Sequence, residues 1–152
     1  VSPFAWTGGL VVLSFLPDAD VIGFAFGIPY GAPLGHRGAM HSPAFATAVA
    51  LVLAAVAFGR GRPVAAWAVA GGLVLATHGF LDTLTDGGHG VALLWPFSPE
   101  RYFAPWRPIP VAPIGPRIFS PEGLRLMAHE AVLFLPVWLV AAWPAALRRM
   151  VR

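Results

Sequence analysis

Cysteine is absent from this sequence, which excludes disulfides and thiolate metal sites; any bound metal must be held by His, Asp or Glu. Lysine is absent as well. All 10 basic residues are Arg, whose planar fork matches the oxygens of phosphate and carboxylate in pairs. A chain rich in Ala, Gly, Pro and Arg is also what a GC-rich genome encodes, so a given Arg carries information only through its surroundings. Charge of either sign is scarce. Charged residues make up 11% of the chain and hydrophobic residues 57%, with a mean hydropathy of +0.71, whereas soluble domains are about 25% charged. A soluble protein of 152 residues with so few charges could not cover its surface. The composition therefore reads as an integral membrane protein, long enough for one domain. An initiating Met is missing too, and Val1 already stands against an apolar run, so a natural N-terminus is expected to lie upstream.

The most informative stretch closes the apolar run from Pro63 to Leu81 and reads His78-Gly79-Phe80-Leu81-Asp82-Thr83-Leu84-Thr85-Asp86-Gly87-Gly88. His78 and Asp82 are four apart, so a helix stacks them on one face. There they can offer one imidazole nitrogen and one carboxylate to a single ion. Gly87-Gly88 is expected to end that helix. Polar residues at a helix end that merely reach the interface are the plainer reading, but ionisable groups within a membrane segment point to function.

Around this stretch the chain divides simply. Val1 to Leu16 is apolar but short of the ~20 residues that span a bilayer. Pro17-Asp18-Ala19-Asp20 ends it with two carboxylates that could reach one metal or bridge two, or could simply cap a turn. Val21 to Leu34, broken by Gly and Pro, reads as a loop or re-entrant segment. His36, Arg37 and His41 follow, then Ser42 and Pro43, an N-cap and a first helical position. A second helix is expected over Pro43 to Gly59, then the basic turn Arg60-Gly61-Arg62, then a third helix opening at Pro63. Ala66, Ala70, Gly71, Gly72 and Ala76 supply the small surface that close helix packing in lipid requires.

His89 to Pro121 is a long connection with eight prolines from Pro96 onward. Loops of that length are functional or disordered. Its aromatics Trp95, Phe97, Tyr102, Phe103 and Trp106 favour an ordered layer at the lipid–water interface. The last helix is expected over Gly123 to Leu147, with Glu130 near its start. The predicted architecture is all-α, with about four transmembrane helices and a long Pro-rich loop between the last two. The positive-inside rule puts Arg60, Arg62, Arg148, Arg149 and Arg152 in the cytoplasm, although the Arg residues of the long loop oppose that orientation. Alternating spans then bring Asp18, Asp20, His36, His41, His78, Asp82 and Glu130 to one membrane face, the outer one.

Leu16-Pro17-Asp18-Ala19-Asp20, Gly35-His36-Arg37-Gly38-Ala39-Met40-His41-Ser42, His78-Gly79-Phe80-Leu81-Asp82-Thr83-Leu84-Thr85 and Leu94-Trp95-Pro96-Phe97-Ser98 resemble the YdjM-like family over nearly the whole chain. The resemblance implies a bacterial inner-membrane, metal-dependent hydrolase of a group with a LexA-regulated member, distantly similar to zinc-dependent phospholipase C and related nucleases. Those are all-α enzymes with up to three zinc ions. Their His-x-x-x-Asp corresponds to His78 and Asp82. Their late His-x-x-x-Glu has no counterpart, since His129 and Glu130 are adjacent and Leu133 stands four after His129. The His that usually heads the family's first helix is also absent, whereas an acidic residue at the start of the last helix, here Glu130, is common.

The expected site holds two or more divalent ions, zinc first among them, on Asp18, Asp20, His41, His78 and Asp82, with His36 and Glu130 as further ligands. Asp20 or Asp86 would take a proton from the attacking water, and Arg37 and Arg101 would hold phosphate oxygens. A site at the bilayer face meets lipid head groups, so the expected substrate is a lipid-linked phosphoester or pyrophosphate and the expected partners are membrane lipids, with no nucleic acid. A metal transporter would instead line a path between the faces. A haem protein would use His78 and His129. A zinc protease would need a second His after His129-Glu130. A non-catalytic scaffold would bind no metal.

Overall fold

A computed structural model describes residues 3–140, and these divide between Pro108 and Ile109 into two compact units. Among the described residues the chain is helical and contains no strand; one antiparallel bridge joins Val91 to Tyr102.

In the first unit, α1 (Pro3–Ser14), α2 (Pro43–Gly59) and α3 (Val64–Thr83) pack side by side. α2 begins where the sequence places it: Ser42 is the N-cap, its hydroxyl accepting from the Phe45 amide at 3.1 Å, and Pro43 follows. The Arg60–Arg62 turn folds α3 back against α2, closed by the Arg62 amide donating to the Ala57 carbonyl at 2.8 Å. Contacts pair Gly72 with Ala50, Gly71 with Leu53 and Gly79 with His41, the register of an antiparallel hairpin. A Cβ on Gly71 would stand 2.2 Å from Leu53 Cδ1, so bare backbone is what lets the helices meet. Of the small residues expected at this contact, Gly71 and Gly72 take part while Ala66 is exposed. α1 lies alongside α3 in the same direction, with Trp6 against Trp67 and Leu13 near Gly71.

α3 is the only described helix long and apolar enough to cross a membrane. Only 17% of its most apolar window is buried, which is unlike the core helix of a soluble domain. Val12, Leu51, Phe58, Leu73 and Phe80 are all more than half exposed, as lipid-facing side chains are. α2 is equally apolar but has 17 residues. α1 and the next helical segment are long and apolar enough together only as one span bent by 46°.

Three elements differ from the sequence-based expectation. Pro17–Phe26 is a 3₁₀ helix that begins in the Asp18/Asp20 turn and runs into the segment expected to be a loop; it closes at Gly27, whose φ is +74°. α3 stops at Thr83, before Gly87-Gly88, because hydroxyls compete with the helical ladder: Thr83 donates to Phe80 O and Thr85 to Asp82 O. The last helix is broken. α4 (Pro121–Leu133), capped by Ser120, gives way to a turn at Phe134 before the chain is helical again from 135 to 140. Pro136 has no amide to donate to Val132 and its ring crowds that carbonyl. The remainder of the expected helix and Arg148, Arg149 and Arg152 lie outside the described residues.

The long connection divides between the units. Its first part folds onto the first unit: the Ala92 amide donates to Arg37 O and the Ala104 amide to Thr83 O. Its later part enters the second unit through a 3₁₀ turn, Gly115–Phe119.

Candidate metal centre

Four segments deliver side chains to the same end of the α2–α3 hairpin, opposite the Arg60–Arg62 turn. Asp18 and Asp20 come from the head of the 3₁₀ helix after α1. His36 and Arg37 come from the following loop, His41 from the turn before α2, and His78 and Asp82 from the last turns of α3. One ligand atom from each of Asp18, His41, His78 and Asp82 falls within 4.8 Å of all the others, and Asp20, His36 and His41 form a second such group.

The hydrogen-bonding state of the rings identifies the atoms that face each other. His78 Nδ1 lies 2.8 Å from the Ser14 carbonyl oxygen, which can only accept, so Nδ1 carries the proton. In neutral His78, Nε2 is then a bare lone pair, and it stands 3.4 Å from Asp18 Oδ1. His41 Nε2 is 3.4 Å from the same Asp18 oxygen and 3.2 Å from Asp82 Oδ2. His78 Nε2 and both His41 nitrogens are buried and make no hydrogen bond of acceptable geometry. Atoms gathered this closely need positive charge among them, either a proton on His41 or a bound cation in its place. Ligand atoms around a tetrahedral ion with bonds of ~2.0 Å stand ~3.3 Å apart, close to the three spacings of 3.2, 3.4 and 3.4 Å, while the remaining pairs lie within 4.8 Å. The donor set, two imidazoles and two carboxylates, therefore fits a divalent ion of the zinc type.

Asp20 is buried and occupied by protein groups. Its Oδ1 accepts from His36 Nδ1 at 2.7 Å, while Oδ2 accepts from the Arg37 amide at 3.1 Å and lies 3.2 Å from His41 Nδ1. A carboxylate behind an imidazole fixes its orientation and raises its basicity toward an ion on the other nitrogen. Asp20, held by His36 and the Arg37 amide, stands behind His41 in position to do this, and it is not open to an attacking water.

Both Arg residues expected to hold phosphate are committed elsewhere. Arg37 spreads its guanidinium along Asp82, with Nε 3.2 Å from Oδ2 and Nη2 3.4 Å from Oδ1, and gives Nη1 to Thr85 Oγ1 at 2.7 Å and Gly87 O at 2.9 Å. It is also the only non-glycine with positive φ among the described residues, at 60°. A side chain held there costs ~1–2 kcal/mol; the Asp20 and Ala92 hydrogen bonds to its own backbone keep it in place. Arg101 donates to four carbonyls, those of Tyr30, Ala32, His36 and Gly90. It ties the long connection to the loop bearing His36. Asp86 is exposed and Glu130 sits in the second unit; neither belongs to the two gathered groups.

Residues not singled out in the sequence also shape the site. Gly79 lets the His41 backbone touch α3, Thr85 anchors Arg37, and Ser14 orients His78. The small residue beside His78 and the Thr-x-Thr run were visible signals for the first two. A backbone carbonyl leaves none.

Burial opposes charge on His41, but the Asp18, Asp20 and Asp82 carboxylates outweigh it and push the ring up from 6.5 to about 10. A raised folded-state value stabilises the metal-free fold fully below 6.5, and that contribution is lost as pH rises through about 10. A divalent ion needs the neutral ring, so binding at pH 7.5 should release about one proton. Calorimetry of Zn²⁺ binding in two buffers of different ionisation enthalpy checks this; equal heats would exclude it.

The sequence matches the YdjM inner membrane protein family over residues 3–150. Inner membrane protein YbcI of Escherichia coli (strain K12) is 41% identical over 132 residues, covering 85% of this chain and 74% of that protein. No solved structure matches. With a family match over almost its full length and a relative this similar, the chain belongs to the YdjM inner membrane protein family.

Proposed function

We propose that this chain is a metal-dependent hydrolase of the bacterial inner membrane that cleaves a phosphoester or pyrophosphate bond of a lipid-linked substrate. The observation that carries the reading is the convergence of Asp18, His41, His78 and Asp82 on one point at the end of the hairpin, with two buried ring nitrogens turned to carboxylates and left without hydrogen bonds. A carrier would space such ligands along the helices; here they share one end. The geometry favours one zinc ion in this group, since the Asp20–His36–His41 group is already engaged in bracing.

A zinc ion held there would bring the pKa of water toward ~7 and stabilise negative charge on a phosphoryl oxygen. The protein's own groups do the rest. His78, oriented by Ser14, and His41, oriented by Asp20, present their Nε2 atoms. Arg37 fixes the plane of the Asp82 carboxylate. Asp18, whose side chain is 46% exposed, forms the open wall. With Oδ1 turned to the imidazoles, its second oxygen is the group placed to accept the proton of an entering water. Asp20, Asp86, Arg37 and Arg101 are not needed in those roles.

The membrane topology belongs to the same reading: four spans, with the Arg60–Arg62 turn in the cytoplasm and the metal end at the periplasmic face, where lipid phosphates lie. Purified protein is expected to contain about one zinc per chain and to hydrolyse a member of a panel of phosphodiesters, phosphomonoesters and prenyl pyrophosphates, with loss of both on chelation. Metal bound without turnover on any of them would refute the hydrolase reading and favour storage or transport.

A further inference from the structure

The second unit carries an open groove of about 600 Å³ between the Pro-rich segment 110–113 and α4, and nothing in the metal-site chemistry uses it. Its floor is apolar, formed by Val111, Pro113 and Leu126. Its rim carries Arg117, Arg125 and His129. Arg125 and His129 are four apart on α4 and so lie on one face. None of the ion pairs among the described residues engages Arg117 or Arg125. The one acidic rim residue, Glu122, stands in the first turn of α4, where the helix N-terminus and Arg117 favour its charged form. Away from that face α4 presents Leu124 and Met127, each about half exposed.

We propose that this groove binds the head group of one anionic phospholipid, its phosphate between Arg117 and Arg125 and the upper acyl chain on the apolar floor. Charge complementarity selects the occupant. Two guanidiniums match a phosphate monoanion in paired hydrogen bonds, and an apolar floor suits a diacylglycerol where it would not suit a free, hydrated anion. The inference does not depend on the hydrolase reading.

Native mass spectrometry of the detergent-purified full chain, titrated with phosphatidylglycerol or phosphatidylcholine, tests it. Wild type should retain one phosphatidylglycerol in preference to phosphatidylcholine. The double substitution R117Q/R125Q should weaken that first binding about tenfold or more, since each basic residue near an anionic head group contributes roughly fivefold. R117K/R125K should restore most of it, which separates lost charge from misfolding. R60Q/R62Q should leave it unchanged. Equal retention of the two lipids by wild type would overturn the proposal. So would loss of preference in R60Q/R62Q equal to that in R117Q/R125Q, because basic charge at any position would then suffice. Displacement by glycerol phosphate at the lipid's own concentration would overturn the assignment to a lipid.

Discussion

Asp82→Ala should abolish metal binding and destabilise the protein at once. Asp82 Oδ2 lies between His41 Nε2 and Arg37 Nε, each at 3.2 Å, so one carboxylate serves both the gathered ligands and a buried guanidinium. The Arg37 side chain is 5% exposed. Removing the partner of a buried charge costs ~3–5 kcal/mol, and the hydrogen bonds to Thr85 and Gly87 would hold Arg37 where it is. Zinc measured by elemental analysis should fall from about one per chain to a tenth of that or less, with a clear drop in melting temperature. Asp82→Asn keeps the shape and an acceptor for Arg37, so it should recover much of the stability without the metal. His78→Ala should lose the metal with the smaller thermal penalty, because the side chain leaves only the Ser14 carbonyl without its partner. Full zinc occupancy in both Asp82→Ala and His78→Ala would sink the proposed centre.

Gly79→Ala is expected to damage the site through a residue with no chemistry of its own. A Cβ there would stand 2.1 Å from the His41 carbonyl oxygen and 3.1 Å from its carbon, and both neighbours are backbone. No side chain can rotate away, so the turn bearing His41 must shift. Overpacking costs ~1–3 kcal/mol, and His41 would lose its register with Asp18, Asp20 and Asp82. Metal affinity should drop by at least about tenfold, because a ligand displaced by even a fraction of an ångström no longer closes the site. Gly8→Ala is the control. A Cβ at Gly8 meets nothing within 4 Å, and a helical Gly replaced by Ala gains about 0.5–1 kcal/mol. If Gly79→Ala bound zinc as wild type does, the close approach of α3 to His41 would not be what positions that ring.

How far the site could be read in advance depended on the range of the interactions involved. The pairing of His78 with Asp82 is a matter of helical repeat, and both fall in the gathered group. The start of α2 rests on Ser42 and Pro43, again a local matter, and stands where the residues indicate. The roles of the Arg residues were not local. Arg37 and Arg101 look like phosphate ligands when only their chemistry is known. The fold surrounds them with Asp82, Thr85 and Gly87 in one case and four carbonyls in the other. Asp18 and Asp20, two apart and alike on paper, are separated by burial: one carboxylate is open to solvent and the other is enclosed by His36 and the Arg37 amide.

The amino-acid sequence by itself determined that this chain is apolar and helical, that a metal would have to be held without thiolates, and that its His and Asp residues cluster beside helix ends. Composition, periodicity and capping act over a few residues and need no knowledge of the rest. Only the tertiary structure decided which of those residues face one another and which merely hold their neighbours. That choice rests on contacts such as Ser14 with His78 and Gly79 with His41, made between segments far apart in the chain, where a backbone carbonyl or a missing side chain matters as much as a charged group.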